Sequence, residues 1–470
     1  MKVLLINPPT TNIALPFYGW KITVEDSGAF PPVGLMYLAG AMRERTIVKV
    51  AMIDMLLERM KIPELEQKIK DFYPDIVGIT TSTPILYDAL EVAKAVKRIK
   101  KDCHVCMGGP HVSFYPEETI CKPEIDSLLI GESEYNFISL VQALNRGDDL
   151  KNVSGVITKE MKGDVIKTIQ PGYINDINSL PFPAFDLLPF RRYSSIIGTG
   201  NSVATICSSR GCPYECTFCY KHYLTYRSRT PENIISELKL YYDLRIKEFY
   251  FFDEMFNITP QRVIDIAGAI LNSGMKIIWS FRGRVGQINE EMLAIAKKSG
   301  CRWILLGVET ATEEGLRLIK KKITIKQIIE TFRVAKKIGI ETGSYWIIGF
   351  PHHRAKQDII DLINFAIKLD PNYAQFNILI PYPETEIFQE GVIKGVLDSG
   401  FWRNHAMRPM PKALIPLWEE YLSRDELSDF MRICYKRFYL RPQKIIQHLI
   451  NTSNFKQLKN KIRGALALIS

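Results

Sequence analysis

The stretch that decides the fold of this chain reads Ser209-Arg210-Gly211-Cys212-Pro213-Tyr214-Glu215-Cys216-Thr217-Phe218-Cys219-Tyr220. It carries three closely spaced cysteines and follows a run, beginning near Ala204, that is typical of a buried strand. Thiolates are soft ligands for iron–sulfur clusters or zinc, and cysteines on one loop can bind one metal centre. A structural site usually closes with four protein ligands, so three leave one position open for substrate chemistry.

A structural zinc site is the alternative, with Cys207 or His222 as the fourth ligand. Cys207 is predicted to lie on the strand that leads into the loop, a poor place from which to fold back onto the metal. The position after a strand also favours a catalytic site, because barrel enzymes bind their ligands at the carboxyl ends of strands. The sequence therefore predicts an open metal centre at Cys212, Cys216 and Cys219.

Strand and helix patterns alternate over residues 201–390. Strand patterns begin near six positions, which are Ala204, Glu248, Ile277, Trp303, Gly343 and Ala374. Helical patterns fall between them, for example over 231–242, 260–273 and 325–338. Six strand–helix units are fewer than the eight of a complete barrel, so we expect an open, partial (β/α)6 barrel of TIM type.

Residues 1–145 alternate in the same way. Apolar strand patterns cover 3–6, 48–54, 75–80, 104–107 and 127–130, and helical patterns cover 34–45, 63–73 and 87–100. This alternation predicts an α/β, doubly wound, Rossmann-like domain with a parallel sheet. A ligand of such a domain lies at the carboxyl ends of the strands. Here those ends are Asn7-Pro8-Pro9, Thr80 to Thr83, Gly108 to His111 and Gly131-Glu132.

The remaining segments differ in character from both blocks. Residues 146–200 are predicted to be a linker with a hairpin around 155–166, turning at Lys162-Gly163-Asp164, and a proline-rich stretch. Residues 391–470 are predicted to be helical and to cover the barrel mouth. From Phe430 to Ser470 they hold nine Lys or Arg residues and no Asp or Glu. This positive charge is compatible with binding to an anionic lipid surface or with a solvated helical face. It is also compatible with binding to nucleic acid, which we do not favour.

Composition limits the class of protein. The chain has 470 residues, 46% hydrophobic and 24% charged, with a formal net charge of +10, as expected for a globular protein of two or three domains. The sequence shows no signal peptide and no apolar run long enough to span a membrane. Nine cysteines without the even pattern of a secreted scaffold indicate a reducing cytoplasm.

The pattern Cys-x-x-x-Cys-x-aromatic-Cys resembles the signature of the radical S-adenosylmethionine (SAM) superfamily. The resemblance implies that Cys212, Cys216 and Cys219 bind a four-iron four-sulfur cluster whose fourth iron is chelated by the amino and carboxylate groups of SAM. One electron from the cluster would cleave SAM to a 5′-deoxyadenosyl radical. Phe218 matches the aromatic position beside the adenine.

Further positions match the family in order along the barrel strands. By resemblance, the residues that contact SAM are Phe218, Asp253, Glu254, Arg282, Glu309 and Gly349. Phe252-Asp253-Glu254 stands where the superfamily has a Gly-Gly-Glu-like motif, so this match is partial. A carboxylate there pairs with the SAM ammonium by a charge-assisted hydrogen bond. The strand-end residues Tyr220, Arg284, Tyr345 and His352 are either a general acid, a radical quencher or structural.

The N-terminal block resembles the cobalamin-binding domain that precedes the barrel in many of these enzymes. The matching stretches include 31–39, 75–80, Gly108-Gly109-Pro110-His111 and Gly131-Glu132-Ser133-Glu134. The residues implied to bind cobalamin are Thr80, Thr81, Ser82, Gly108, Gly109, Pro110, Gly131 and Glu132. Glycine permits a flat corrin to approach the backbone. The Asp-x-His-x-x-Gly motif that supplies a histidine to cobalt is absent, since the matching loop reads Asn7-Pro8-Pro9-Thr10-Thr11-Asn12. His111 is expected to be a loop residue and not a cobalt ligand.

The resemblance leaves two reactions open. One is cobalamin-dependent methylation of an unactivated carbon in a small-molecule or lipid substrate. The other is a rearrangement, ring formation or oxidation without methylation, as in the anaerobic magnesium-protoporphyrin ester cyclase branch. Either needs an external one-electron donor of the flavodoxin or ferredoxin type.

Two further classes fit less well. A methylthiotransferase carries a second cluster, whereas Cys103, Cys106 and Cys121 are interpreted as two buried thiols and a loop residue. A non-catalytic protein that binds cobalamin and SAM would not need an open cluster iron. We favour methylation, with peripheral membrane contact through the basic C-terminus as a further hypothesis.

Overall fold

The computed structural model describes residues 1–17, 28–159, 165–168, 172–195, 198–199, 202–220 and 225–450. The chain divides into two compact units, each assembled from segments that are separate in sequence. The first unit comprises Met1–Leu15, Pro31–Arg192 and Ser399–Leu414. The second unit comprises the other described residues, chiefly Tyr193–Asp398 and those from Ile415 onward. The domain limits at 145, 200 and 390 stay a prediction.

Among the described residues before position 193 there are eight strands and seven α-helices. The strands are β1 (Lys2–Asn7), β2 (Gly28–Ala29), β3 (Lys49–Asp54), β4 (Ile76–Thr80), β5 (His104–Gly108), β6 (Ser127–Leu129), β7 (Val156–Lys159) and β8 (Val165–Lys167). The helices are α1 (Val33–Arg45), α2 (Met55–Glu58), α3 (Ile62–Phe72), α4 (Leu86–Ile99), α5 (Pro110–Phe114), α6 (Pro116–Ile120) and α7 (Glu134–Arg146).

The first unit is built on a seven-stranded sheet in the order β3-β1-β4-β5-β6-β7-β8. The first five strands run parallel, and β7 and β8 continue the sheet in antiparallel direction. Val3, Leu4, Leu5 and Ile6 are all at most 1% exposed, as expected of a parallel strand covered on both faces. The doubly wound fold is confirmed. The predicted hairpin is the β7–β8 pair, and its turn at Lys162-Gly163-Asp164 lies outside the described residues.

The described residues from position 193 onward form nine strands and ten α-helices. The strands are β9 (Ser194–Ser195), β10 (Val203–Ile206), β11 (Ser209–Arg210), β12 (Arg227–Ser228), β13 (Glu248–Phe251), β14 (Ile278–Gly283), β15 (Cys301–Glu309), β16 (Glu341–Ile348) and β17 (Tyr373–Ile378). The helices are α8 (Pro231–Asp243), α9 (Pro260–Asn272), α10 (Glu290–Lys298), α11 (Glu313–Leu318), α12 (Ile325–Ile338), α13 (Lys356–Leu369), α14 (Glu386–Ile393), α15 (Phe401–Met407), α16 (Arg424–Tyr439) and α17 (Pro442–Ile450).

The second unit is built on a six-stranded parallel sheet in the order β10-β13-β14-β15-β16-β17. Consecutive strands are neighbours throughout, and helices fall between them, which is the arrangement of a partial barrel. Fully buried Phe251, Phe256, Trp279 and Phe281 pack ring against ring in the core of this unit. The partial (β/α)6 barrel is confirmed. No helix among the described residues is long and apolar enough to cross a bilayer.

Residues 399–414 return to the first unit, which differs from the expected cover over the barrel mouth. Helix α15 packs there against α6, with Arg403 Nε 2.7 Å from Glu118 Oε1. The backbone N–H of Lys412 donates to the Asn12 carbonyl, and that of Leu15 donates to the Ala413 carbonyl. The carboxyl edge of the first sheet is therefore completed by a segment far away in sequence.

Candidate functional site

The three cysteines lie on a loop that follows the first barrel strand, β10. Strands β11 and β12 pair in antiparallel direction, with Ser209 opposite Ser228, and so fix both ends of the loop. Cys216 is buried, Cys212 is half-buried and Cys219 is exposed. The loop is also docked at its middle, because the Thr217 N–H donates to the Ile319 carbonyl and the Ile387 N–H to the Thr217 carbonyl.

The chemistry of these thiols fits a cationic cluster. Burial raises the pKa of the Cys212 thiol, and a charge on Cys216 raises it further. The pKa of Cys219 is raised to about 12, first by desolvation and then by charges on Cys216 and Cys212. If all three cysteines were deprotonated, their negative charges would repel each other. A bound metal cluster of positive core charge would offset this repulsion.

The spacing of the thiols bears on the zinc alternative. Within the described part of the chain, no three His, Cys, Asp or Glu side chains converge closely enough for a single metal ion. A four-iron cluster places each cysteine on a different iron and does not need such convergence. Cys207 instead directs its thiol to the Ser209 carbonyl, 3.4 Å away, and His222 lies outside the described residues.

The carboxylate of Asp253, a predicted SAM contact, is engaged in hydrogen bonds to the residues that lead into the cysteine loop. Its carboxylate is 2% exposed and accepts hydrogen bonds from Ser208 N at 2.7 Å, Ser208 Oγ at 2.6 Å and Ser209 Oγ at 2.6 Å. Arg262 Nη2 lies 3.8 Å from the same carboxylate. These contacts tie the end of β13 to the start of the loop, so Asp253 organises the loop from below.

Glu254 faces the loop itself. Burial raises the pKa of its carboxyl, which accepts a hydrogen bond from the backbone of Gly211, the residue before Cys212. The charge of Glu254 in turn raises the pKa of Cys212. Of the two neighbouring carboxylates, Glu254 is therefore the one placed beside the cysteines.

Arg282 lies in an aromatic cluster on the same barrel. Its Nε donates to Tyr250 Oη at 2.9 Å, and its guanidinium carbon lies 4.3 Å from the centre of the Phe252 ring. Phe30 packs against both aromatic rings. These contacts hold Arg282 among aromatic rings, and its assignment to SAM stays a prediction.

Phe218 and Glu309 lie next to a residue that the sequence did not single out, Lys321. Its Nζ lies 2.8 Å from Glu309 Oε1 and 5.9 Å from the Phe218 ring centre. Phe218 also packs edge-on against Phe350, the neighbour of Gly349, with ring centres 5.5 Å apart. Lys321 is the middle of three consecutive lysines, a run typical of a solvated surface, yet only this one is buried.

The turn after β16 is held by a buried histidine. Gly349 adopts a φ of +80°, and Nδ1 of His353 accepts the backbone N–H groups of Gly349 and Phe350 at 3.1 and 3.3 Å. Burial lowers the pKa of His353 to about 3. The neutral ring is thus required for the turn that carries Gly349 and Phe350.

Because the turn needs a neutral His353 ring, we predict that acid lowers the free energy of unfolding of the protein. Because the pKa of His353 in the folded state lies below its ordinary value of 6.5, its stabilising effect is complete above pH 6.5 and is lost as the pH falls toward 3. One such histidine gives a slope of about 1.4 kcal/mol per pH unit in the free energy of unfolding.

The variant His353→Asn retains an acceptor without a titrating ring. We measure the free energy of unfolding with urea between pH 5.0 and 6.5 on the cluster-free protein. The slope of this free energy against pH is expected to be smaller in the variant than in the parent, by an amount that corresponds to the uptake of about one proton on unfolding. Equal slopes in the two proteins would contradict this assignment.

The carboxyl edge of the first sheet brings the predicted cobalamin residues of β4 and β5 together. Thr80 lies opposite Gly108, and Thr81 N–H donates to the Gly108 carbonyl at 2.8 Å. Gly109 has a φ of +103°, and a Cβ there would come within 2.5 Å of the Thr81 carbonyl oxygen. Only glycine fits this backbone conformation, in which the turn after β5 packs closely against the main chain that precedes Ser82.

Glu132, a predicted cobalamin contact, also has a structural role. It follows Gly131, which has a φ of +76°, and its Oε2 accepts the backbone N–H of Ile174 at 2.7 Å. Glu132 therefore fastens the segment after the β7–β8 hairpin to this edge. A direct role toward cobalamin stays a prediction.

The loop after β1 is rigidly held. Asp88 accepts Asn12 N at 2.8 Å and Asn12 Nδ2 at 2.7 Å. His111 is 0% exposed, with Nδ1 3.1 Å from Thr83 Oγ1 and Nε2 without a partner among the described residues. His405 Nε2 lies 3.3 Å from the Thr83 carbonyl oxygen. Two buried histidines thus flank Thr83, and one of them comes from the returning segment.

The cysteines of the first unit differ in burial. Cys103 and Cys106 are 0% and 1% exposed, and burial raises the pKa of each to about 12. Cys121 is exposed and lies after α6. The two buried thiols act as small apolar side chains, as predicted.

Comparison with protein families gives two matches. Residues 206–366 match the model of the radical SAM superfamily, and residues 19–141 match that of the B12-binding domain. The first match contains the cysteine loop and the barrel strands β13 to β16, and the second contains strands β3 to β6 of the doubly wound sheet.

Individual relatives agree with these matches. An uncharacterized methyltransferase of Pyrococcus horikoshii is 37% identical over 99% of this chain and 98% of its own length. The anaerobic magnesium-protoporphyrin IX monomethyl ester cyclase of Rubrivivax gelatinosus is 28% identical over 88% of this chain and 75% of its own length. Among solved structures, the radical SAM methyltransferase TsrM of Kitasatospora setae, with cobalamin and a four-iron cluster bound, superposes with a TM-score of 0.68. It covers 84% of this chain and 78% of TsrM at 18% identity, and so supports the fold.

Proposed function

We propose that this chain, which belongs to the branch of the radical SAM superfamily with a B12-binding domain, is a methyltransferase. Its substrate would be an unactivated carbon of a small molecule or a lipid. The observation that carries the proposal is the presence of both domains in a chain that matches a methyltransferase over its whole length. The enzyme of this family uses a four-iron cluster, SAM and cobalamin.

When bound, the cluster supplies the electron that cleaves SAM to a 5′-deoxyadenosyl radical, and cobalamin carries the methyl group. We propose Cys212, Cys216 and Cys219 as the cluster ligands, because they share one loop fixed at both ends. Glu254 would accept a hydrogen bond from the SAM ammonium, since it lies beside the loop while Asp253 is occupied beneath it. Phe218, supported by Phe350, would pack against the adenine.

The carboxyl edge of the first sheet is the proposed cobalamin site. Thr80, Thr81 and Ser82 offer hydroxyl groups there, and Gly108, Gly109 and Pro110 offer backbone free of long side chains. The loop from Asn7 to Asn12 contains no histidine and is fixed by Asp88. We therefore propose that this loop gives cobalt no histidine ligand.

The glycine at position 109 offers a test of this site. Gly109→Ala places a methyl group against the Thr81 backbone, and we expect at least a tenfold loss of cobalamin affinity by absorbance titration. Gly147→Ala is the matched control, because Gly147 also has a positive φ but would meet nothing within 4 Å. Unchanged affinity in a folded Gly109→Ala protein would place cobalamin elsewhere.

Product analysis tests the reaction without knowledge of the substrate. Methyl transfer from SAM leaves S-adenosylhomocysteine, whereas radical cleavage leaves 5′-deoxyadenosine. The anaerobically reconstituted enzyme with cobalamin and a reductant is expected to form both. Bound corrin with about four irons per chain would support the cofactor assignment.

A non-methylating cyclisation is the second candidate, favoured by the similarity to the magnesium-protoporphyrin ester cyclase over most of the chain. This reaction needs no methyl group. Formation of 5′-deoxyadenosine without S-adenosylhomocysteine would therefore favour it over methylation.

The electron donor and the cellular location belong to the same proposal. A flavodoxin or ferredoxin would supply the electron, in the reducing cytoplasm that an exposed iron–sulfur site requires. Helix α17 exposes Ile445 and Ile446, whereas Lys444 on that helix is buried against Asp370. Lys456, Lys459, Lys461, Arg463 and the apolar run 465–469 lie outside the described residues. Co-sedimentation with anionic vesicles at low salt tests peripheral membrane contact.

A further inference from the structure

Arg284 is a buried arginine against the cysteine loop. It follows β14 and is 7% exposed. Its guanidinium carbon lies 3.7 Å from the ring centre of Tyr214, and its Nη1 lies 4.0 Å from Cys216 Sγ. One side chain thus contacts both an aromatic residue of the loop and one of the three thiols.

The position of Arg284 is fixed from both sides. Asn257, which is 0% exposed, accepts the Arg284 backbone N–H at 2.8 Å through Oδ1 and donates to the Arg284 carbonyl at 2.9 Å through Nδ2. Gln287 Nε2 donates to Tyr214 Oη at 3.3 Å. The guanidinium is therefore aimed at the loop by its own backbone and by the ring on which it stacks.

In the described part of the chain, no salt bridge joins Arg284 to an Asp or a Glu, and the buried Nη2 of Arg284 has no hydrogen-bond partner there. A buried cation without an anion is costly, and so is a buried donor without an acceptor. Thiolates and the sulfides of a cluster would supply both the negative charge and the acceptor.

We propose that Arg284 is a positioning residue for the iron–sulfur cluster, which holds Tyr214 and Cys216 in place and raises the reduction potential of the cluster through its charge and its spare N–H. The proposal rests on the cluster ligands assigned above. Reduction adds one negative charge to the cluster, so a fixed cation in contact with a ligand sulfur favours the reduced form.

Two variants separate the charge from the planar group. In Arg284→Gln the charge is lost, and we expect the ratio of reduced to oxidised cluster at a fixed potential to fall about tenfold, which is 59 mV for one electron. Arg284→Lys keeps the charge but cannot stack as a plane, so we expect an intermediate potential. The measurement is an anaerobic redox titration of the reconstituted protein without SAM, followed by electron paramagnetic resonance.

Arg302→Gln is the matched control, because Arg302 is a half-buried arginine of the same barrel that pairs with Glu341 away from the cysteine loop. It removes the same charge and is expected to leave the potential unchanged. The proposal is overturned if Arg284→Gln and Arg284→Lys hold about four irons and titrate like the parent. If Arg284→Gln folds but loses its iron, the contact with Cys216 is supported, and if it does not fold, Arg284→Lys decides. A parent protein without a cluster would instead overturn the ligand assignment itself.

Discussion

Replacing Cys216 by alanine is expected to abolish 5′-deoxyadenosine formation and to reduce bound iron from about four per chain to near zero. Cys216 is the most buried of the three thiols and lies where the loop is docked on residue 319. In the variant only two protein thiolates remain to hold the cluster, and water is a poor substitute for the missing thiolate. We expect activity to fall to the background rate of SAM cleavage by the reductant alone.

The matched control is Cys301→Ala. Cys301 is also buried, but it begins β15 and directs its thiol to the Trp303 carbonyl within the barrel. This variant should retain iron and deoxyadenosine formation. Turnover that persists in Cys216→Ala at the rate of the control would contradict both the ligand assignment and the radical mechanism.

Replacing Asp253 by alanine is expected to destabilise the second unit by about 3–5 kcal/mol, since it removes one partner of a buried charged network. The backbone N–H and hydroxyl of Ser208 and the hydroxyl of Ser209 would lose their acceptor, and Arg262 would keep an unbalanced charge. Because both serines precede the cysteine loop, we expect cluster retention to weaken as well. Urea unfolding of the cluster-free protein gives the first quantity and iron content the second.

Glu254→Gln is the control for Asp253→Ala, because it changes the neighbouring carboxylate. It should change stability by no more than about 0.5 kcal/mol, the range of most surface substitutions. It is expected instead to raise the SAM concentration needed for half-maximal cleavage. If Asp253→Ala kept the stability of the parent and lost only SAM affinity, Asp253 would be the SAM contact that the sequence motif implied.

The sequence alone predicted the parallel strands of both large sheets, although not the order of the strands in the first sheet. Strands β1, β4 and β5 are short apolar runs separated by amphipathic helices, and the same alternation recurs from β10 to β17. Such patterns are local, since a strand or helix shows its period within a few residues. The metal centre at the three cysteines could be predicted equally well, because the cysteines are close in sequence and lie on a single loop.

Only the tertiary structure decided which neighbouring side chains are free to act. Asp253 and Glu254 are adjacent, yet one is enclosed by Ser208 and Ser209 while the other faces Gly211. Lys321 is buried between two exposed lysines, and Arg284 reaches Cys216 across 68 positions of sequence. Residues 399–414 complete the first unit from the far end of the chain. Burial and pairing depend on contacts between distant segments, and no local period encodes them.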